Sequence, residues 1–364
     1  MQEAFAAKHG LRLYGEVTRQ GVVSGSEAIC HNQVIDELAL PGALVVGTDS
    51  HTTMAGAVGC LAFGIGSTDM ANAWLTRDVR VKVPESVRIV LSGRLGPLVC
   101  AKDVMLKLLS LPYFKGGSAI GKVLEFSGPG LEKLSLDERA TLTNMAVEAS
   151  GFTGIIAADQ VVVEALAALR GIDPGLIRER IVVADPGAEY AATLTIDLSE
   201  IAPMVALPSD PSNGLPVSEL FGAVGGPVKI DIAYGGSCTG GKAADMDLYA
   251  SVLSRAHQTG RRVAPGVSLF IQVGSQRIRR HAEERGYLAL FEAVGATLVE
   301  PSCGACIRAG PGVSSSPDQI TISATNRNFP GRSGPGKVFL ASPLTVAASA
   351  IAGEIVAPSS GDGP

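Results

Sequence analysis

The chain has 364 residues, 46% of them hydrophobic and 18% charged, with 44 glycines, 21 prolines and a formal net charge of −5. At roughly 150 residues per domain the length allows about two to three domains, and the apolar content excludes a disordered polymer. Six cysteines are too sparse for a disulfide-stapled miniprotein, and a pI near 5.6 argues against a broad nucleic-acid-binding face.

Gln2 to His9 reads as a short helix and Leu11 to Val17 as a strand. The chain thus opens inside an α/β unit, as though a preceding part were missing or supplied by another polypeptide. Met1-Gln2-Glu3-Ala4 lacks the basic stretch and apolar run of a secretion signal. Strand-length apolar runs follow at Ala43–Val46, Val87–Leu91, Ile155–Ala157, Val228–Ala233, Val267–Val273, Ala296–Val299 and Ile320–Ser323. Helical patterns lie between them, among them Ser251–Thr259, Gln276–Arg285 and Thr345–Ile351. The alternation predicts an α/β fold of layers with mixed, largely parallel sheets. A mean hydropathy of +0.28 raises the question of a membrane. The uncharged run Ser50–Thr68, however, holds His51, Thr52, Thr53 and four glycines, which suits a buried small-residue helix better than a lipid span. The expectation is a soluble cytoplasmic protein with reduced thiols and neither a membrane nor a nucleic-acid partner. Boundaries near Lys82–Pro84 and within Pro208–Pro216 divide the chain into residues 1–83, an incomplete first α/β domain, 84–215, a second, and 216–358, a third. Residues 359–364 are expected to be a disordered tail.

Four polar clusters directly follow predicted strands: Thr48-Asp49-Ser50-His51, Gly235-Gly236-Ser237-Cys238-Thr239, Ser302-Cys303-Gly304-Ala305-Cys306 and Asn326-Arg327-Asn328-Phe329-Pro330-Gly331-Arg332. In open parallel sheets ligands bind outside the carboxyl ends of strands, so these clusters are expected to form one site. Cys303 and Cys306 form a C-x-x-C that suits a redox pair, half of a zinc site, two ligands of an iron–sulfur cluster with Cys238 as the third, or a coincidence of loop cysteines. Cys30, Cys60 and Cys100 sit among small or apolar neighbours and read as core thiols. The stretch Gly236–Lys242 fits G-x-x-x-x-G-K, but Ala243 stands where a phosphate-binding loop needs a hydroxyl. Asp49 and His51 pair a carboxylate with an imidazole, suited to protonating a leaving hydroxyl, and Asp49 can also cap the following helix. Arg327 and Arg332 match carboxylates in bidentate geometry, unless they belong to a solvated loop. His9, His257 and His281 lie in charged helical contexts and read as surface groups.

In this order, Gly47-Thr48-Asp49-Ser50-His51-Thr52, Gly-Ser-Cys-Thr at 236–239, Cys-Gly-x-Cys at 303–306 and Asn-Arg-Asn-Phe-x-Gly-Arg at 326–332 resemble the aconitase family. Gly121-Lys-Val-Leu-Glu125-Phe, Asn144-Met145-Ala-Val-Glu148 and Leu40-Pro41-Gly42 add to a likeness that spans roughly Phe5 to Ile355. The resemblance implies several α/β/α domains, three in the family, around a central cleft with a [4Fe-4S] cluster held by Cys238, Cys303 and Cys306, one iron being free to act on substrate as a Lewis acid. It implies that Asp49 and His51, with His31 close by, protonate and release the hydroxyl, and that Glu125 hydrogen-bonds the iron-bound water. Asn326, Arg327 and Arg332, with Ser50, would bind the carboxylates of a small substrate. The implied activity is reversible dehydration of a 2-hydroxy di- or tricarboxylic acid, as in the 3-isopropylmalate dehydratase branch. Homoaconitase-like, aconitase-like or dimethylmalate-type chemistry, or a non-catalytic scaffold, are the alternatives. Ala305 replaces the family's usual proline, Gly240 its usual asparagine, and Met54 a polar amide of aconitases proper. The family's opening region and its swivel domain have no counterpart here, which implies a large subunit served by a small swivel-type subunit carrying the catalytic base.

Overall fold

The computed structural model describes residues 1–19 and 21–360. A short helix, Gln2–His9, precedes a hairpin of β1 (Glu16–Arg19) and β2 (Val22–Ser26), so the first strand lies later than the expected Leu11–Val17. β3 (Leu44–Gly47) and β4 (Leu61–Gly64) form a parallel pair. β5 (Ser86–Ser92), β6 (Val123–Ser127), β7 (Thr153–Ile156) and β8 (Ala192–Asp197) form a parallel sheet ordered β7-β6-β5-β8. β5 shows why it is a strand: Val87, Ile89 and Leu91 alternate with polar or half-buried residues and are wholly buried on one face, each contributing about 1.5–3 kcal/mol.

The largest sheet comprises β9 (Met204–Ala206), β10 (Gly214–Pro216), β11 (Ile232–Gly235), β12 (Ser268–Gln272), β13 (Ala296–Val299), β14 (Ile320–Ser323) and β15 (Lys337–Ala341). Its order is β10-β9-β15-β14-β11-β12-β13. The five strands from β15 to β13 are parallel, and β9 and β10 pair antiparallel at one edge. Residues 204–216 therefore join the same sheet as the strands beyond the loop-rich stretch. The mixed, largely parallel α/β architecture is the one the alternation of strands and helices predicts.

Helices cover this sheet. Ala243–Gln258 buries Met246, Tyr249, Ala250, Leu253 and Ala256 at helical spacing, against Phe291, Leu344 and Ala347 in the same apolar core. Pro343–Ala352 starts on Ser342, whose hydroxyl accepts from the Thr345 amide, with proline at its first position. A second core joins Val87, Ile89 and Leu91 to Val104, Leu108, Val338 and Leu340, and a third packs Ile29, Met54, Val58 and Leu166 near Cys238.

The run Ser50–Thr68 is not one helix. Residues Ser50–Val58 form a 3-10 helix, Leu61–Gly64 is β4, and a separate α-helix begins at Ser67. Gly56 explains the first part: a Cβ there would lie 1.9 Å from the Gly154 carbonyl, so the backbone packs directly on β7. The strand expected at Val228–Ala233 is shifted to Ile232–Gly235, because Lys229 forms an isolated bridge with Glu354 instead. Among the described residues no helix is long and apolar enough to cross a membrane. Of the expected tail, Ser360 accepts a bond from Arg255 through its carbonyl, and residues 361–364 lie outside the described residues.

Candidate active site

β3 ends at Gly47 and delivers Asp49, which caps the 3-10 helix by accepting from the His51 amide at 2.8 Å. The Asp49 Oδ1 atom also meets His31 Nε2 at 3.0 Å and His51 Nδ1 at 3.4 Å. The segment leading into His31 is held by the Ile29 amide, which donates to the Gly274 carbonyl two residues beyond β12. The two imidazole rings lie 6.0 Å apart, edge to face.

The second His51 nitrogen, Nε2, lies 2.9 Å from Glu148 Oε1. That same oxygen accepts from Arg327 Nε at 2.7 Å, and Arg327 Nη2 donates to Ser50 Oγ at 3.0 Å. A chain of polar contacts thus runs from Asp49 through His51, Glu148 and Arg327 to Ser50. Both His51 nitrogens face carboxylates, the arrangement that suits its charged form. Burial opposes that charge, but Glu148 and Asp49 outweigh it and the His51 pKa is raised. The hydrogen bonds from His31 and His51 hold the Asp49 carboxyl far below its ordinary range.

The cysteines approach from the other side. Cys238, in the turn after β11, is buried, and its sulfur lies within 4.8 Å of a ring nitrogen of both His31 and His51. Asn144 Nδ2 donates to that sulfur at 3.3 Å. Cys303 and Cys306 occupy the turn after β13, the first exposed and the second buried, with Arg332 Nη2 3.7 Å from Cys306 Sγ. Burial and the neighbouring Cys306 push the Cys238 thiol up to about 12, so a thiolate there needs a cation beside it. Burial, Cys306, Cys30 and Asp49 raise Cys303 as well. Among the described residues Glu148 Oε2 and Arg332 Nε are buried without a hydrogen-bond partner. A cleft of about 210 Å³ is lined by Cys30, His31, Thr48 and Asp49, and a shallower one of about 500 Å³ by Asp49, Ser50 and Arg327. A larger groove of about 750 Å³ lies elsewhere, between paired groups such as Arg277 and Asp36.

Glu125 and Asn326 bond to other side chains. Glu125 lies on β6 opposite the buried Leu124 and Phe126, and accepts from Tyr190 Oη at 2.9 Å. Strand alternation turns it away from the core face, and the carboxylate that meets His51 is Glu148. Asn326 is wholly buried: its Oδ1 accepts from Ser237 Oγ at 3.2 Å, and its amide donates to Asn144 Oδ1. It supports the Cys238 turn, and its Oδ1 also lies 3.7 Å from Cys238 Sγ. Lys102 lies beneath the same loop, donating to the Thr325 carbonyl at 2.5 Å. The phosphate-loop reading also ends here, because Lys242 is buried and bonded to Asp245 at 2.7 Å and to the Thr239 carbonyl. Cys60 and Cys100 are buried as expected, whereas Cys30 is exposed beside His31 at the start of a short helix. His9 and His257 are exposed, and His281 is half-buried against Asp247 at 2.9 Å. Asn144 ends the helix Leu136–Asn144 and Glu148 lies in the 3-10 turn Met145–Ala149 directly after it, in a segment whose sequence already stood out as Asn144-Met145-Ala-Val-Glu148.

Residues 3–353 match the aconitase family (aconitate hydratase). The 3-isopropylmalate dehydratase large subunit of Wolinella succinogenes is 38% identical over 97% of this chain and 80% of that protein. The protein of the same name from Sulfurimonas denitrificans is 40% identical over 88% of this chain and 74% of its own. Among solved structures, Thermococcus kodakaraensis aconitase X in its holo-form is 13% identical, covering 90% of this chain and 69% of that one with a TM-score of 0.49. With the strand-end motifs and a family match over nearly its whole length, the chain belongs to the aconitase family.

Proposed function

We propose that this chain is the large subunit of a hydro-lyase of the 3-isopropylmalate dehydratase type, dependent on a [4Fe-4S] cluster and working in the cytoplasm with a small swivel-type subunit. The observation that supports the reading is Cys238 beside the Asp49–His51–Glu148–Arg327 chain, its sulfur within 4.8 Å of a ring nitrogen of both His31 and His51, with Cys303 and Cys306 in the turn after β13 two strands from β11. The donor set fits such a group. Thiolates are the ligands iron–sulfur clusters take, Asn144 and Arg332 direct N–H groups at two of the sulfurs, and Arg332 Nε and Glu148 Oε2 are unpaired. Cys238, Cys303 and Cys306 would hold the cluster, which when bound supplies a Lewis-acidic iron for a hydroxyl and carboxylate of the substrate.

The chain's own residues divide the remaining work. His51 holds a proton between Asp49 and Glu148 for the departing hydroxyl, and Asp49 fixes the ring's orientation through the shared contacts with His31. Arg327 and Arg332 offer guanidinium groups to substrate carboxylates, with Ser50 holding Arg327 from the far side. The base that takes the proton from the neighbouring carbon belongs to the small subunit and keeps that proton, while the hydroxyl leaves as water with the proton from His51.

Anaerobic incubation with iron and sulfide tests the cofactor: a brown protein with broad visible absorption is expected, lost in Cys303→Ser. A colourless, iron-free product would overturn it. Dehydration of 3-isopropylmalate is expected only when the small subunit is added. Turnover by this chain alone would refute the division of labour.

A further inference from the structure

We propose that Gln272 is the positioning residue that sets the separation of the two cysteine-bearing turns, an inference that rests on the cluster reading above. β11 and β13 carry those turns and are not neighbours; β12 lies between them. Gln272 is the last residue of β12 and is wholly buried. Its side chain reaches both ways. Oε1 accepts from the Ser237 amide at 3.0 Å, one residue before Cys238. Nε2 donates to the Ser302 carbonyl at 2.9 Å and to its hydroxyl at 3.0 Å, one residue before Cys303, and to the Glu300 carbonyl at 3.3 Å.

The amide can stand only one way round. A backbone N–H on one side can only donate and backbone carbonyls on the other can only accept, so reversing oxygen and nitrogen would break both sets. The turns also close on the side chain: a Cβ at Gly236 would lie 2.5 Å from Gln272 Cβ, and one at Gly304 would lie 3.0 Å from Nε2. Ser237 itself sits at φ +68°, a conformation a non-glycine residue holds only when its surroundings fix it. The Gln272 bond to its amide is one of those constraints. An apolar residue at 272 would leave the Ser237 N–H and the Ser302 and Glu300 carbonyls without this partner.

Three variants of the full chain test this: Gln272→Met, which makes none of these bonds, Gln272→Glu, which keeps an acceptor for Ser237 but no donor for Ser302, and Ser302→Ala. Hydrogen exchange of the metal-free chain is read over residues 236–241 and 300–307, and cluster loss to an iron chelator is followed after reconstitution. Gln272→Met is expected to exchange faster in both segments and to lose its cluster about tenfold faster, at the lower end of what removing outer-shell partners of metal ligands costs. Gln272→Glu should loosen only residues 300–307. Exchange and cluster lifetime equal to wild type in Gln272→Met would overturn the proposal. If that variant does not melt cooperatively, Gln272→Glu and Ser302→Ala decide: unchanged exchange at 300–307 in both refutes it. If the wild-type chain takes up no cluster, the functional reading falls, while the exchange data still judge Gln272.

Discussion

Replacing Glu148 with glutamine separates the charge of this group from its shape. Both His51 Nε2, at 2.9 Å, and Arg327 Nε, at 2.7 Å, contact Oε1, while Oε2 is buried without a partner. A glutamine can keep its oxygen where Oε1 stands and put its NH₂ in the unpaired position, so the contacts survive and only the charge is lost. Bonds to a charged partner contribute about 1.5–3 kcal/mol against about 0.5–1.5 for neutral ones, so the two bonds weaken by about 2–3 kcal/mol together. Folding is affected less, because the neutral amide also escapes the cost of burying a carboxylate, the first influence on the Glu148 pKa. The support withdrawn is that of the protonated His51 ring. The His51 bond's share of that is about 1–1.5 kcal/mol, so at 1.36 kcal/mol per decade kcat for dehydration should fall about 5- to 13-fold. The assay is turnover of the reconstituted two-subunit enzyme beside a thermal melt of the same preparation. An unchanged kcat, or a loss that merely tracks unfolding, would refute the role given to Glu148.

Glu125→Gln is expected to leave kcat and KM unchanged, since its carboxylate meets Tyr190 and not the cleft; a large loss in turnover would restore it to the site. Gly56→Ala should destabilise the chain by about 1–3 kcal/mol in urea unfolding, because the added methyl meets the Gly154 carbonyl. Gly222→Ala, in a helix with open space around it, should be neutral or stabilising by up to about 1 kcal/mol. Burial lowers the Lys102 pKa from 10.5 to about 8. Between those values the unfolded chain binds more protons than the folded one, so wild type should gain stability relative to Lys102→Met as pH rises through that window. Denaturant midpoints measured below and above it check the sign, and a wild-type-minus-variant difference that is constant or falls with pH contradicts it.

The strands and the strand-end clusters were legible because buried parallel strands read as short apolar runs, and ligand sites form where such strands end. That rule predicts one site for residues 49, 238, 303 and 327 without using their separation in sequence. What it leaves undetermined is which polar side chains face the cleft and which support it from below. Asn326 and Arg327 are adjacent, yet one is buried under the Cys238 turn and the other reaches Glu148. Glu125 and Glu148 are both acids beside apolar residues, and only strand alternation against a helical turn separates them. The stretch after His51 misleads for a different reason: its small residues resemble a helix, but glycine allows a close backbone approach to β7 that periodicity does not register. Gln272 interrupts an apolar run by one residue, and its two-way contacts depend on strand order, which sequence proximity does not convey.

The placement of β12 between β11 and β13 sets a width. Two ladder steps, roughly 9.6 Å, separate the backbones that launch the sulfur-bearing turns, and main-chain hydrogen bonds maintain that span. Exchange of one apolar side chain for another within these strands leaves the width as it is. Slipping a further strand into the ladder would widen it by half again, beyond what two short turns can bridge by leaning inward. The aperture is thus inherited from topology, and the side chains at its rim remain at liberty to diverge.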